Sequence, residues 1–220
     1  MKRRTFSSHC LGAASAAALG GLGLAPWLAH AEAPPVDGQE YARLSSPVSI
    51  ESPGKVEVLE FFWYACPHCF HFEPVLEPWV KQLPADVRFR RVHVSFGEFR
   101  KEFHQRLYYT IEALNLVDTL HAKVFERFHV QHRPIDREAD LIEFARENGV
   151  DPDKFKSTFN GFTVLTRGKQ ADRLTEAYQV DGTPEIGVQG RFRTAPSMVR
   201  DEPRSLAVTD YLINLSRKSA

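Results

Sequence analysis

The chain has 220 residues, with 28 Lys and Arg balanced by 28 Asp and Glu. Nucleic acid is excluded as the main partner, because phosphate binding needs a basic surface that this composition does not supply. Three cysteines are too few for a small secreted scaffold stapled by disulfides. The length is enough for one globular domain with an insertion.

Residues 1–31 predict a cleaved export signal. Positions 2–4 are basic, an uncharged apolar stretch follows from about Cys10 to Leu28, and Ala29-His30-Ala31 has the small-x-small pattern of a signal-peptidase site. A single membrane anchor is the alternative, and the Arg3-Arg4 pair leaves a twin-arginine export route open. Cleavage after Ala31 would remove three basic residues and no acid, leaving 189 of the 220 residues with a small acidic excess. No later apolar run is long enough for a span, so we expect a soluble mature protein.

The first part of the mature chain predicts a strand, a motif and a helix. Residues 32–54 contain many prolines and are expected to be irregular. The apolar segment from Lys55 to Phe62 predicts a strand that leads directly into Cys66-Pro67-His68-Cys69. Apolar residues at helical spacing then predict a helix, which prolines 74 and 78 should kink or break into two. Alternation from Val87 to Phe96 predicts a second strand.

Residues 98–177 have a different pattern, which predicts successive helices over about 99–115, 118–129, 137–148, 152–160 and a long one ending at Tyr178. Asp151-Pro152 has the N-cap and N1 chemistry of a helix start. Strand signal returns from Glu185 to Phe192 with a turn at Gly190, and a last helix is predicted over about 204–217. We therefore expect an α/β domain formed by residues 32–97 and 178–220, with residues 98–177 as an inserted helical domain.

Cys66 and Cys69 are the residues most suited to chemistry. Two cysteines three positions apart at a helix start can close a small disulfide ring. Unpaired backbone N–H groups and the positive helix end favour a thiolate at Cys66, and the thiolate is both the attacking species and the good leaving group. Pro67 costs little in the first turn, and His68 adds a donor or a positive charge beside the Cys66 sulfur.

Two structural interpretations of this motif remain as alternatives. Tetrahedral zinc needs two more good ligands, and there is no second C-x-x-C, so we expect no metal. A purely structural disulfide is disfavoured because so short a ring removes little entropy from the unfolded chain. The remaining histidines lack a consistent ligand spacing and are interpreted as surface or ordinary packing residues: His93, His104, His121, His129 and His132.

Two segments carry a family resemblance. Val-Leu-Glu-Phe-Phe-x-x-x-Cys-Pro-His-Cys, followed by Phe70-His71-Phe72-Glu73, resembles the periplasmic oxidants of the DsbA family, and so does Val180-Asp181-Gly182-Thr183-Pro184. The order of segments is similar over essentially the whole mature chain. The resemblance implies a thioredoxin fold with a lid-like helical insertion. It also implies that Cys66 is the exposed attacking sulfur, that Cys69 is its buried partner, and that Thr183-Pro184 is a cis-peptide loop facing them. A simple turn is the alternative for that loop.

The resemblance extends to charged and apolar positions near the motif. It implies that Glu60 is a buried acid assisting proton movement, flanked by Glu73 and Arg91. Arg stands where the family commonly has Lys and cannot give up a proton, so a structural ion-pair network is the alternative. Phe72 and Leu76 fall where the family lines an apolar groove, although helix residues of this kind also form cores. Thr183, in place of an aliphatic residue before the proline, is expected to shift the specificity of that groove.

The function implied by the resemblance is disulfide donation to unfolded or reduced exported proteins in the periplasm. A membrane partner of the DsbB type, linked to quinone, would reoxidise the pair, and a monomer without a bound cofactor is expected. A reductase or isomerase is the alternative within the same chemistry. Isomerases of this compartment usually carry a separate dimerisation domain, and no such segment precedes the motif. A non-catalytic thioredoxin-like chaperone that binds unfolded chains is the alternative of another class, and the intact cysteine pair disfavours it.

Overall fold

The computed structural model describes residues 33–218, so the predicted export signal at residues 1–31 lies outside the described residues. Five strands form one mixed sheet in the order β1-β5-β4-β2-β3. The central strand β2 is parallel to β3 and antiparallel to β4. The strands are β1 Ala42–Arg43, β2 Val56–Phe62, β3 Val87–His93, β4 Glu185–Val188 and β5 Phe192–Thr194.

Helices make up most of the remaining described chain, and α1 connects β2 to β3. Five helices, α2 to α6, occupy the segment between β3 and β4 that was predicted to be a helical insertion. No helix within residues 33–218 is long and apolar enough to span a membrane. The helices are α1 Pro67–Val80, α2 Phe99–Ala113, α3 Val117–His129, α4 Glu138–Glu147, α5 Pro152–Phe159, α6 Phe162–Ala177, α7 Pro196–Val199 and α8 Glu202–Arg217.

The strand β2 organises the core because all seven of its residues are buried. Alternation along the strand sends Val58 into an apolar cluster with residues of α1 and α8. Leu59 and Phe61 enter a second cluster formed largely with the inserted helices. The sheet is thus covered on both faces, and the motif that follows β2 begins at the end of a fully buried strand.

The helix α1 is continuous, although its two internal prolines were expected to kink it or to break it into two. Pro74 and Pro78 both lie inside it, yet a single helix runs from Pro67 to Val80, so the expected break into two helices is wrong. Each proline removes one backbone N–H donor, but the buried Phe72 and Leu76 hold the same helix against the sheet. Packing of one apolar face therefore outweighs the local cost of the prolines.

Two chain reversals set the ends of strands. The second strand was predicted to run to Phe96, but β3 ends at His93, which pairs with Phe62, the last residue of β2. The chain then turns at Phe96 and Gly97, both of which have positive φ. The turn predicted at Gly190 is confirmed, with φ +62. A Cβ atom at Gly190 would lie 1.9 Å from the Val48 carbonyl oxygen, so a glycine is required there.

Short elements were missed by the sequence analysis. The two-residue strand β1 pairs antiparallel with β5 inside the segment expected to be irregular, and the single turn of α7 precedes the last helix. The helix α8 also begins two residues before its predicted start, with the Asp201 side chain accepting a hydrogen bond from the Arg204 N–H. The predicted helix start at Asp151 is confirmed, since its side chain accepts from Asp153 N and Lys154 N.

Candidate active site

The cysteine pair lies at the start of α1, with Cys66 at the N-cap and Pro67 in the first turn. Both cysteines are free thiols. The Cys66 thiol donates to the Thr183 carbonyl oxygen at 3.3 Å, which brings together two segments 117 residues apart. Cys66 is 6 % exposed and Cys69 is 0 % exposed. Cys66 is therefore the more accessible sulfur, as expected, but it is far from fully exposed.

The two thiols have opposite acidities. Hydrogen bonding from the Cys69 thiol lowers the pKa of Cys66 from 9.0 to about 5, against the opposing effect of burial. The Thr183 side chain and the backbone N–H groups of Cys69 and His68 also favour the Cys66 thiolate. Burial raises the pKa of Cys69 well above its ordinary value. At neutral pH the pair thus holds one thiolate and one thiol.

The loop opposite Cys66 contains the expected cis bond, between Thr183 and Pro184. Together with His68 these two residues line a cavity of about 510 Å³, whose other wall is the segment from Pro196 to Pro203. The backbone N–H of His68 favours the Cys66 thiolate, whereas its side chain lies on this cavity. The hydrogen bond expected from the His68 side chain is thus supplied by the backbone.

The three predicted charges lie together beneath the pair. Arg91 Nε is 2.9 Å from Glu60 Oε2, and Arg91 Nη2 is 3.2 Å from Glu73 Oε2 and 2.5 Å from Glu77 Oε1. The Arg91 Nε–H does not point at Glu60, and neither Glu60 oxygen has a hydrogen-bond partner among the described residues. Burial raises the pKa of Glu60 from 4.5 to about 8, although the Arg91 charge opposes this shift. Glu77, which the sequence analysis missed, belongs to the same cluster.

The groove assignment of Phe72 and Leu76 is wrong. Both side chains are fully buried in the apolar cluster between α1, α8 and the sheet. They lie on the face of α1 that packs on the sheet, so they cannot line a surface groove. The spacing of four residues was compatible with either face, and only the packing of α1 decides between them.

The interpretation of the histidines needs correction. His93, His104 and His121 are buried, and each is within hydrogen-bond distance of Trp63 or Tyr64, the residues just before Ala65 and Cys66. They are therefore more than surface or packing residues. Among residues 33–218, no group of three or more His, Cys, Asp or Glu side chains is arranged to hold a metal ion.

A reactive Cys-x-x-C pair at a helix start, facing a cis-proline loop on a mixed sheet, defines a thiol–disulfide oxidoreductase with a thioredoxin fold. A family model described as a DSBA-like thioredoxin domain matches residues 57–206. The chain belongs to the DsbA family.

Relatives and solved structures agree with this assignment. The chain is 39% identical over 183 residues to the thiol:disulfide interchange protein DsbA of Pseudomonas aeruginosa, covering 83% of this chain and 86% of the relative. It is 42% identical over 181 residues to the DsbA of Bordetella parapertussis, covering 82% and 86%. The crystal structure of Pseudomonas aeruginosa DsbA superposes with a TM-score of 0.80 at 38% identity, covering 84% of this chain and 95% of that one. The oxidoreductase DsbA from Xylella fastidiosa gives a TM-score of 0.77 at 32% identity, covering 84% and 98%.

Proposed function

We propose that this protein donates disulfide bonds to reduced or unfolded exported proteins in the periplasm, through a disulfide between Cys66 and Cys69. The observation that supports this function best is the difference between the two thiols. A pKa of about 5 makes Cys66 a stable thiolate and a good leaving group, while burial keeps Cys69 protonated. A stabilised thiolate favours the reduced state of the enzyme, which is the property of an oxidant.

The reaction begins when a substrate thiolate attacks Cys66 of the oxidised enzyme. The Cys66–Cys69 bond breaks, the Cys69 sulfur takes the electron pair and a proton, and a mixed disulfide forms between Cys66 and the substrate. A second substrate thiolate then attacks the substrate sulfur of that bond, and Cys66 leaves as a thiolate. Two electrons pass to the enzyme, and the substrate gains one disulfide.

The surrounding residues divide into two groups. Pro67 and the backbone N–H of His68 shape the helix start around the Cys66 thiolate, and Thr183-Pro184 is the edge on which an extended substrate segment would dock. Glu60 supplies the proton on the Cys69 side, since its carboxyl group is near enough to raise the pKa of Cys69 and its own pKa of about 8 keeps it largely protonated at neutral pH. Arg91 remains charged, so its function is to hold Glu60 and Glu73 in place.

Export and turnover complete the proposal. Residues 1–31 direct export and are cleaved after Ala31, and the mature chain works as a monomer without a bound cofactor. A membrane partner of the DsbB type, which passes electrons to quinone, returns the pair to the disulfide. Residues 32–97 and 178–220 form the thioredoxin-like domain, and residues 98–177 form an inserted helical domain beside it.

Oxidation of a reduced client protein tests this function directly. The oxidised wild type should form the client's disulfide stoichiometrically, and Cys66→Ser should reduce this to the uncatalysed rate because the attacked sulfur is gone. Cys69→Ser serves as the matched control, since it keeps Cys66. When its Cys66 carries a mixed disulfide with a small-molecule thiol, a client thiolate should attack Cys66, release the small-molecule thiol and form a mixed disulfide with the enzyme. Client oxidation that survives Cys66→Ser would favour a chaperone that only binds unfolded chains. Wild-type protein that reduces client disulfides in glutathione buffer would favour the reductase.

A further inference from the structure

The two residues before Ala65 and Cys66 are held by histidines from three different elements. The Trp63 indole N–H donates to His104 Nδ1 of α2 at 2.9 Å, and the Tyr64 backbone N–H donates to His93 Nε2 of β3 at 3.3 Å. The Tyr64 hydroxyl is 2.9 Å from His121 Nδ1 of α3. His129 Nε2, also on α3, donates to the Tyr64 carbonyl oxygen at 2.8 Å.

The partners of His104 specify its protonation. An indole N–H can only donate, so His104 Nδ1 must be an acceptor without a proton. The other ring nitrogen, Nε2, then carries the proton and donates to Asp136 Oδ1 at 2.7 Å. The ring is fully buried and stacked against Trp63 at a centroid distance of 6.2 Å. Burial also lowers the pKa of His104. This contact therefore requires a neutral imidazole.

His121 lies between the Tyr64 hydroxyl and the charged cluster. Its Nε2 lies 3.1 Å from Glu73 Oε1. The hydrogen bond from His121 and the charge of Arg91 hold the pKa of Glu73 below its ordinary value despite burial, so Glu73 is an acceptor. His121 Nε2 thus donates to Glu73. Burial lowers the pKa of His121, so the ring carries a single proton, and Nδ1 accepts from the Tyr64 hydroxyl. One imidazole links the loop before Cys66 to the acids beneath the pair.

The loop in turn contacts both cysteines. The Cys66 N–H donates to the Trp63 carbonyl oxygen at 3.0 Å. A backbone hydrogen bond from Trp63 also favours the charged form of Cys69. A displacement of Trp63 or Tyr64 would therefore change the hydrogen bonds around both sulfurs, and the relative energies of the thiolate and the disulfide depend on those bonds.

We propose that His104 and His121, as neutral imidazoles, are positioning residues that hold Trp63 and Tyr64 in place and thereby set the redox equilibrium of the Cys66–Cys69 couple. The proposal rests on the disulfide-donating function and adds residues of the helical insertion to it. Loss of either anchor loosens one side chain of this loop, whose backbone His93 and His129 still hold, and the first turn of α1 then holds its N–H groups less firmly around the Cys66 thiolate. The reduced form loses stabilisation, and the equilibrium with glutathione shifts toward the disulfide.

The test uses variants that differ by single hydrogen-bonding groups. Tyr64→Phe removes only the hydroxyl, and His121→Leu removes both imidazole nitrogens. His121→Asn keeps an acceptor near the Nδ1 position and is the conservative rescue. We expect Tyr64→Phe and His121→Leu to shift the glutathione equilibrium by about threefold to tenfold, the scale of one or two hydrogen bonds, where tenfold is about 30 mV. His121→Asn should stay within about twofold of the wild type, and His132→Asn, at an exposed histidine, should not change it.

Two measurements separate positioning from a purely structural contribution. The glutathione equilibrium and the absorbance titration of the Cys66 thiolate should both change in Tyr64→Phe. Equal losses of thermal stability in the oxidised and reduced forms, with both redox measurements unchanged, would overturn the proposal. If His121→Leu does not fold, Tyr64→Phe and His121→Asn decide the question by themselves. A wild type that cannot oxidise clients would instead contradict the proposed function.

Discussion

Cys66 and Cys69 lie on the same helix start, three residues apart, but in opposite surroundings. Cys66 faces the Thr183 carbonyl, the cavity beside His68 and the open end of α1. Cys69 faces the apolar core and the buried cluster around Glu60. The same thiol group is thus a thiolate in one position and a neutral thiol in the other. Neighbouring dipoles and burial, rather than residue type, therefore determine which cysteine is the nucleophile and which is its partner.

The largest expected effect is a difference in reactivity between the two thiols. In the reduced protein at pH 7, Cys66 should react with limiting iodoacetamide more than about 100-fold faster than Cys69, because the thiolate is the reactive species. Peptide mapping by mass spectrometry gives both rates. Labelling in denaturant is the control and should remove the difference. Preferential labelling of Cys69 in the folded protein would reverse the proposed mechanism.

A second prediction concerns the acid on the Cys69 side. The pKa of Glu60 is raised from 4.5 to about 8, so the folded protein retains a proton that the unfolded chain releases. Stability should therefore fall as pH rises between these two values. Glu60→Gln removes this loss and should raise the free energy of unfolding at pH 7 by roughly 3 kcal/mol.

Urea unfolding at pH 7 and pH 4 measures this gain, which should disappear at pH 4, where Glu60 is protonated in both states. Glu126→Gln is the matched control at an exposed site on α3 and should change stability little. A Glu60→Gln variant that is less stable than the wild type at pH 7 would show that the Arg91 ion pair outweighs the cost of burying the charge.

The lowered pKa of Cys66 predicts that the oxidised and reduced forms differ in their free energy of unfolding. The lowered pKa contributes stability to the reduced form that is complete above the unfolded pKa of about 8.5 and lost as pH falls through about 5. At pH 7 this contribution is roughly 3 kcal/mol. A disulfide ring of four residues stabilises the oxidised form by about 2 kcal/mol. The reduced form should thus be more stable by about 1 kcal/mol at pH 7.

Guanidinium unfolding of both redox forms checks this difference, and the same experiment at pH 5 is its control. At pH 5 the thiolate contribution falls below about 0.5 kcal/mol, so the oxidised form should become the more stable one. An oxidised form that is more stable at pH 7 as well would contradict a strongly oxidising couple, even though the fold and family are unchanged.

The smallest expected effect comes from the residue before the cis-proline. The Thr183 side chain favours the Cys66 thiolate, so Thr183→Val should raise the pKa of Cys66 by about half a unit. The absorbance of the thiolate as a function of pH measures this change. Thr183→Ser keeps the hydroxyl and should titrate like the wild type. An unchanged pKa in Thr183→Val would contradict a contribution of the Thr183 hydroxyl to the thiolate, because the Thr183 carbonyl oxygen accepts from the Cys66 thiol and cannot stabilise its charged form.

Local chemistry is readable in the sequence by itself. The strand before the motif, the helix start at Pro67 and the turn at Gly190 were all predicted, because each depends on residues adjacent in the chain. The cysteine pair was also identified from its spacing, and the resemblance of its surroundings supplied the cis bond at Thr183. These features need no knowledge of how distant segments pack.

Tertiary structure alone decided which faces and partners those elements acquired. The helical spacing of Phe72 and Leu76 allowed either a groove or a core, and burial between α1, α8 and the sheet placed them in the core. His104 and His121 are 41 and 57 residues from the loop side chains that they hold. Their spacing in the chain carries no signal, because contacts over such separations arise only when the inserted helices pack against the sheet. The same packing removes water from Glu60 and Cys69, and this loss of solvation sets their acidities.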